Sequence, residues 1–89
     1  MSHKLVGFAD SANPMNVSYI NDQLVTIANQ FSGLQTEAGT ETDSRLLRHV
    51  KNPERLPCYI LFKNNQYKAH IQAKMFDEIA IKWVRDKLG

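Results

Sequence analysis

Side chains capable of nucleophilic or metal chemistry are few and widely spaced in this sequence. Cys58 is the single cysteine, which excludes an internal disulfide, a Cys-x-x-Cys redox pair and a multi-cysteine zinc site. His3, His49 and His70 have no helical or strand spacing to one another that would build a metal site. No Ser-His-Asp order, phosphate-binding glycine loop or paired carboxylate motif stands out. We therefore expect no metal, no cofactor and no enzymatic activity.

Cys58 leaves one enzymatic alternative open, a monothiol redox activity. A reactive cysteine needs exposure and a lowered pKa, commonly from a helix N-terminus or a nearby cation. Cys58 instead begins an apolar run that reads as a strand, where a free cysteine usually behaves as a small buried hydrophobe. The sequence favours a packing role for this thiol, and a monothiol enzyme using Cys58 remains the alternative.

Length and composition indicate one soluble domain that spans residues 1–89. A chain of this size can form a single core without disulfides or metals. Apolar residues make up 43% and charged residues 22%, which is ordinary for a globular domain. No apolar run approaches the roughly 18 residues that span a bilayer, and the first residues do not resemble a secretory signal. We expect an intracellular, cytoplasmic protein without membrane association.

The charges of the chain are mixed rather than clustered. The formal net charge is only +2, and the basic residues lie among acidic ones along the sequence. A nucleic-acid interface normally concentrates positive charge on one face, so the scattered Lys and Arg residues would have to converge in space. We therefore expect a protein partner, and we consider nucleic acid unlikely.

The first half of the chain predicts a strand and a long helix. Residues Lys4–Ala9 are mostly apolar, which is typical of a strand covered on both faces. Asn13 and Pro14 then form a helix-start signal, and Ser32-Gly33 ends the helix. The spacing predicts a buried stripe, with Gln23 and its polar neighbours away from it or on its rim. The stripe consists of Val17, Ile20, Leu24, Ile27, Ala28 and Phe31.

The second half predicts a weak strand, a short helix, a hairpin and a final helix. The weak strand is Leu34–Ala38, and Thr42 or Asp43 caps the short helix. Cys58–Phe62 and Gln66–Gln72 form the hairpin around Asn64-Asn65, since asparagine tolerates positive φ. The final helix is expected to bury one face, with Trp83 on the sheet: Phe76, Ile79, Ala80, Trp83, Val84 and Leu88.

The predicted order is β-α-β-α-β-β-α, an α/β class with a mixed central sheet and helices on both faces. Two segments within it resemble thioredoxin. There the first strand runs into a Cys-Gly-Pro-Cys turn at a helix start, and a cis-proline opens a later strand that ends in Phe-Lys-Asn-Gly. Here the matching segments are the turn around Pro14 and Leu56–Asn65, in which Pro57 opens the strand. Relative to the usual pattern of the family, this chain has one residue fewer between the first strand and the turn.

Aligned on Pro14, the two cysteine positions of the family hold Ala12 and Met15. The resemblance spans nearly the whole chain and implies a thioredoxin-like fold without its dithiol. In the family, the backbone of the residue before the cis-proline pairs with an extended substrate segment, and that residue would be Leu56. The family's usual glycine after the return strand, which gives a partner backbone close access, is replaced near Gln72. This departure weighs against an inherited mode of groove binding.

The resemblance also implies a function. Redox-inactive relatives of this fold occur as structural or accessory subunits of larger assemblies, so we expect a protein-binding role in such an assembly. A bacteriophage virion component, located in a virion assembled in the cytoplasm, is one example. The partner-binding groove implied by the resemblance consists of Ala12, Pro14, Met15, Leu56, Pro57 and Gln72.

Overall fold

Four strands form one mixed sheet in the computed structural model, which describes residues 2–88. The order across the sheet is β2-β1-β3-β4; β1 pairs with β2 in parallel, and the other neighbours are antiparallel. The strands are β1 His3–Ala9, β2 Leu34–Thr40, β3 Cys58–Lys63 and β4 Gln66–Ile71. The predicted fold class and the order β-α-β-α-β-β-α are confirmed.

Three helices cover the two faces of this sheet. α1 (Pro14–Gln30) and α3 (Asp77–Leu88) pack on one face, and α2 (Ser44–His49) lies on the other. Within residues 2–88, no helix has the length and apolar character needed to cross a membrane.

The apolar strands are buried on both faces because helices cover both sides of the sheet. Successive side chains of a strand point to opposite sides, so each strand contributes to both clusters. Leu5, Tyr59 and Leu61 join α1 and α3 in one cluster, the α1-side core. Val6 and Phe8 belong to the cluster under α2, the α2-side core. The strands β1 and β3 therefore read as continuous apolar runs rather than as alternating patterns.

Local signals position the element ends where the sequence predicts them. The Asn13 side chain caps α1, and Pro14 is its first residue. Asn64 and Asn65 have φ values of 53° and 65°, the left-handed conformation that a tight hairpin turn requires. The strand β2 differs from its prediction by continuing two residues beyond Ala38, because it pairs with β1 along its whole length.

Two predicted faces are wrong in part. Gln23, expected on or outside the rim of the α1 stripe, is only 2% exposed. On the final helix, Phe76 is 82% exposed and lies just before α3, while Ile79 is also exposed. Ala80 and Val84 bury the helix, and Trp83 packs partly buried against the α1-side core as expected. The helix is thus rotated so that its first apolar residues face solvent.

Candidate functional site

Three chain segments meet at one end of the sheet, where strands begin or finish. β1 ends there and leads into α1, β3 begins there, and β4 ends there, because β3 runs antiparallel to both. Between them lies an open cleft of about 490 Å³. The cleft is lined by Asn13, Asn16, Glu54, Arg55, Leu56, Pro57, Gln72, Ala73 and Lys74.

The structure brings part of the predicted groove to this cleft. Leu56, Pro57 and Gln72 line it, and the Leu56–Pro57 peptide bond is cis. The other predicted residues, Ala12, Pro14 and Met15, are exposed at the start of α1 but are not among the lining residues. Met15, for example, is 78% exposed. In place of these three residues, the cap residue Asn13 and Asn16 of α1 line the cleft.

The turn between β1 and α1 is held by its own hydrogen bonds. The Asp10 carboxylate accepts a bond from the backbone N–H of Ala12 at 2.9 Å, and the Asp10 carbonyl accepts one from Asn13 at 2.9 Å. Ser11 donates from its backbone and its hydroxyl to the Glu41 carboxylate after β2. These bonds from Ser11 lower the pKa of Glu41. Asp10 therefore has a structural role in the turn.

The first backbone N–H groups of α1 are already hydrogen-bonded and are not available to a thiolate or a substrate. The Asn13 side-chain oxygen accepts the backbone N–H groups of Met15 at 3.1 Å and Asn16 at 3.3 Å. An N-cap of this kind satisfies donors that a helix otherwise leaves open. Ala12 and Met15, at the positions of the dithiol, carry no thiol. This turn can present a surface, but it cannot carry out disulfide exchange.

The segment before β3 is less available than the resemblance implies. The backbone N–H of Leu56 donates to the Glu54 carbonyl at 3.2 Å, and the Leu56 side chain packs on the α2-side core. The Gln72 amide donates to the carbonyls of Asn52 at 2.6 Å and Arg55 at 3.3 Å. Gln72 thereby ties the end of β4 to the loop before β3. A partner would meet side chains here rather than an open backbone donor at Leu56.

Cys58 follows Pro57 of the cleft directly, but it is not among the lining residues and is buried in the core. Its side chain is 0% exposed and belongs to the α2-side core. Burial raises the pKa of the Cys58 thiol to about 12. The thiolate, which is the nucleophilic form, is therefore disfavoured at neutral pH.

The histidines do not form a metal site within residues 2–88, where no cluster of three or more candidate ligands occurs. His49 and His70 instead both contact the side chain of Tyr67. The His49 ring stacks on Tyr67 at a centroid distance of 4.9 Å, and the Tyr67 hydroxyl is 2.6 Å from His70 Nδ1. The register shift opposite Leu61 and Phe62 accompanies this arrangement on β4.

A second, smaller cleft of about 190 Å³ gathers some of the basic residues. It is lined by Lys4, Arg45, Arg48, His49, Phe62 and Asn65. Arg45 forms ion pairs with Glu37 and Asp43, and Lys4 lies 3.5 Å from Glu37. The hydrogen bonds from Arg45 lower the pKa values of both carboxyl groups. The surface around this cleft is thus of mixed charge.

A polar network that joins α1, β3 and the segment before α3 was not predicted from the sequence. Gln23 accepts a hydrogen bond from the Tyr59 hydroxyl and donates to the Met75 carbonyl at 2.7 Å and to Asp77 at 3.1 Å. The Tyr19 hydroxyl binds both the carbonyl and the N–H of Met75, the latter at 2.6 Å. Burial raises the pKa of Tyr59, which keeps its hydroxyl a donor. The network fixes the segment between β4 and α3.

Comparisons with known proteins agree with this architecture. No protein-family model and no curated protein sequence matches the chain. Among solved structures, the N21Q mutant thioredoxin from Halobacterium salinarum NRC-1 is similar, with a TM-score of 0.75 and 10% identity over 99% of this chain and 76% of that one. Thioredoxin O2 from Arabidopsis thaliana in the oxidized state has a TM-score of 0.66 and 16% identity over 98% and 75%. A structure described as a malarial protein has a TM-score of 0.65 and 13% identity, covering 100% of both chains.

These likenesses establish the class of fold. The chain has a thioredoxin-like fold, and its single cysteine fits the absence of a Cys-x-x-Cys motif. The resemblance drawn from the turn at Pro14 and the strand after Pro57 is confirmed at this level. At 10–16% identity, the similarity concerns the fold alone.

Proposed function

We propose that this chain is a redox-inactive thioredoxin-like domain that acts as a structural or protein-interaction subunit of a larger assembly. The observation that carries the proposal is the turn before α1, where Ala12 and Met15 stand at the dithiol positions and Asn13 occupies the first helix donors. Disulfide exchange needs an attacking thiolate and a resolving thiol. Without either, the function left to the cleft is binding.

The chemistry of the cleft favours an extended protein segment as its ligand. Three residues with amide side chains line it, namely Asn13, Asn16 and Gln72. The Asn13 oxygen and the Gln72 NH2 group are already bonded within the chain, so Asn13 offers donors to a peptide backbone, Gln72 offers an acceptor and Asn16 offers both. Glu54 and Arg55 supply charges of both signs at its rim. Extended segments gain affinity from backbone hydrogen bonds and specificity from side-chain pockets. A protein partner, with no cofactor, fits this lining.

The assembly to which the domain belongs is part of the proposal. A compact chain without a thiol centre suits a structural component, for which a bacteriophage virion is one example. The domain would then act in the cytoplasm or within a virion assembled there. The monothiol alternative is weakened by the burial of Cys58 and its raised pKa.

We predict that the purified protein does not accelerate the reduction of insulin disulfides by dithiothreitol above the rate of dithiothreitol alone. The reason is that Ala12 and Met15 cannot form or resolve a mixed disulfide. The measurement is insulin turbidity, with an active thioredoxin as the positive control. Turnover that disappears in a Cys58→Ala variant would instead establish the monothiol enzyme.

A matched variant tests the alignment on Pro14. The double substitution Ala12→Cys, Met15→Cys returns a Cys-x-x-Cys spacing to the start of α1. We expect this variant to form an internal disulfide and to reduce insulin measurably, because both positions are exposed. Two thiols that remain unpaired under oxidising conditions would show that the alignment is incorrect.

We further predict that the cleft holds the partner. The double substitution Asn16→Arg, Arg55→Glu changes the size and charge of its lining and leaves both core clusters intact. Binding to the native assembly should weaken at least about tenfold, or 1.4 kcal/mol. The measurement is co-sedimentation of the tagged chain with its assembly from the native source. Leu56→Asp is unsuitable, because Leu56 also packs on the α2-side core.

The matched control is the pair Lys82→Glu and Lys87→Glu on the exposed side of α3. These changes should leave co-sedimentation unchanged. Loss of assembly with the lysine variants and not with the cleft variant would move the partner to the terminal helix. A wild-type chain found only as a free protein in its native source would overturn the proposed function.

A further inference from the structure

Phe76 is the most exposed of the large apolar side chains in residues 2–88, at 82%. It lies directly before α3, beside an apolar cavity of about 210 Å³ lined by Tyr19, Lys74, Met75 and Phe76 itself. Ile79, one helical turn later, is 55% exposed. The surface therefore carries a protruding aromatic side chain and an apolar hollow next to each other. We refer to these residues as the Phe76 face.

The backbone that carries Phe76 is rigidly held. The preceding residue, Met75, is bound at its N–H and its carbonyl by Tyr19, and at its carbonyl also by Gln23. The Phe76 carbonyl accepts hydrogen bonds from Ile79 and Ala80, both at 3.0 Å. A backbone segment that is fixed before binding loses little conformational entropy on association. Phe76 thus has the properties of an interface anchor, a role in which aromatic residues are enriched.

Charged residues of opposite sign flank Phe76 at equal distances along the sequence. Lys74 lies two residues before it and Glu78 two residues after it, and both are exposed. In a twofold dimer, the same surface patch meets itself, so the patch must complement its own shape and charge. With the axis near Phe76, the two segments run antiparallel. Lys74 of each copy would then face Glu78 of the other, and each aromatic ring would meet the hollow of the other copy.

We propose that the Phe76 face binds a second copy of this chain and forms a twofold homodimer. A protruding aromatic ring and an apolar hollow lie side by side on this face, and charges of opposite sign, Lys74 and Glu78, are exposed close to Phe76 in the chain. A patch of this kind would bury a small area, as in the weak and transient complexes among specific protein–protein interfaces. Lys74 also lines the cleft, but the proposal does not depend on the function of the cleft, since the proposed occupant is the chain itself.

The test is sedimentation velocity of the untagged protein at concentrations from about 5 to about 500 µM, a range suited to a weak dimer. The wild-type mass should rise with concentration toward twice the monomer. Phe76→Ser should weaken association at least about tenfold, and its fold should persist because the side chain is exposed. Val25→Ser, at a 62% exposed apolar position on α1, is the matched control and should dimerise like the wild type.

A charge exchange tests the twofold geometry. Lys74→Glu alone should weaken the dimer, because it brings acidic groups together, and adding Glu78→Lys should restore it. The cleft variant Asn16→Arg, Arg55→Glu should still dimerise, which separates this proposal from the proposed function. A wild-type protein that remains monomeric throughout, open-ended association beyond a dimer, or an unrestored charge exchange would overturn it. If the wild type is monomeric and the Phe76→Ser variant no longer co-sediments with the native assembly, the Phe76 face binds another protein rather than a second copy.

Discussion

Replacing Gln23 by leucine is expected to lower the free energy of unfolding by about 1–3 kcal/mol, the usual cost of one buried polar group left without a partner. Gln23 is 2% exposed, accepts from the Tyr59 hydroxyl and donates to the Met75 carbonyl. Leucine fills most of the volume but leaves the Tyr59 hydroxyl unpaired in the core. The measurement is urea unfolding, read from the shift of the midpoint at constant slope.

A double-mutant cycle separates the hydrogen bond from packing. Adding Tyr59→Phe to Gln23→Leu removes both partners, so the double variant should recover more than half of the lost stability. Gln30→Leu, at an exposed glutamine of the same helix, is the control and should change stability by less than about 0.5 kcal/mol. If Gln23→Leu proved as mild as Gln30→Leu, the buried network would contribute nothing to stability.

Gly7→Ala is expected to destabilise the protein by about 1–3 kcal/mol, the usual cost of adding a methyl group to a packed core. A Cβ at this position would lie 2.9 Å from Ile20 Cγ2, 3.0 Å from Tyr59 Cε1 and 3.3 Å from Leu24 Cδ1. Alanine would therefore push α1 away from β1. Asn16 of this helix and its cap residue Asn13 line the cleft. Partner binding should therefore weaken together with stability.

The matched control for Gly7→Ala is Ala38→Val, at the residue that pairs with Gly7 across β1 and β2. Ala38 is exposed, so the added methyl groups have room, and valine suits a strand. Thermal unfolding of both variants measures the difference. A Gly7→Ala protein that melts with the wild type would show that α1 adjusts freely on the sheet, contrary to this packing.

Predictions that depended on neighbouring residues agree closely with the structure. Asn13 caps α1 through bonds to residues two and three positions later, and Asn64-Asn65 forms the hairpin turn through its own backbone preference. The strands β1 and β3 were recognisable because burial on both faces leaves an uninterrupted apolar run. The turn at Pro14 and the strand after Pro57 were together specific enough to indicate the fold.

Predictions that depended on distant residues were less accurate. Gln23 has the polarity of a surface residue, yet its partner Tyr59 lies 36 positions away and draws it into the core. Phe76 has the hydrophobicity of a core residue, yet it is exposed because Ala80 and Val84 are the residues of α3 that face the core. A helical period defines a stripe, but the rotation of that stripe depends on its neighbours.

The residues of the candidate site were also predicted only in part. Leu56, Pro57 and Gln72 were identified from the sequence and line the cleft, whereas the contribution of α1 was assigned to Ala12, Pro14 and Met15. In the structure, the cap residue Asn13 and Asn16 of the first turn line the cleft instead. Alignment to a family identifies a segment, while the direction of each side chain follows from the local backbone.

The sequence by itself determined the absence of a dithiol, the number and order of the elements, and the ends of α1 and of the hairpin. Each depends on residue type or on contacts within a few positions. Only the tertiary structure decided that Gln23 is buried, that Cys58 is enclosed and that Phe76 is exposed. These outcomes depend on groups far apart in the chain, whose desolvation and hydrogen bonding are settled only when the sheet and the helices pack together.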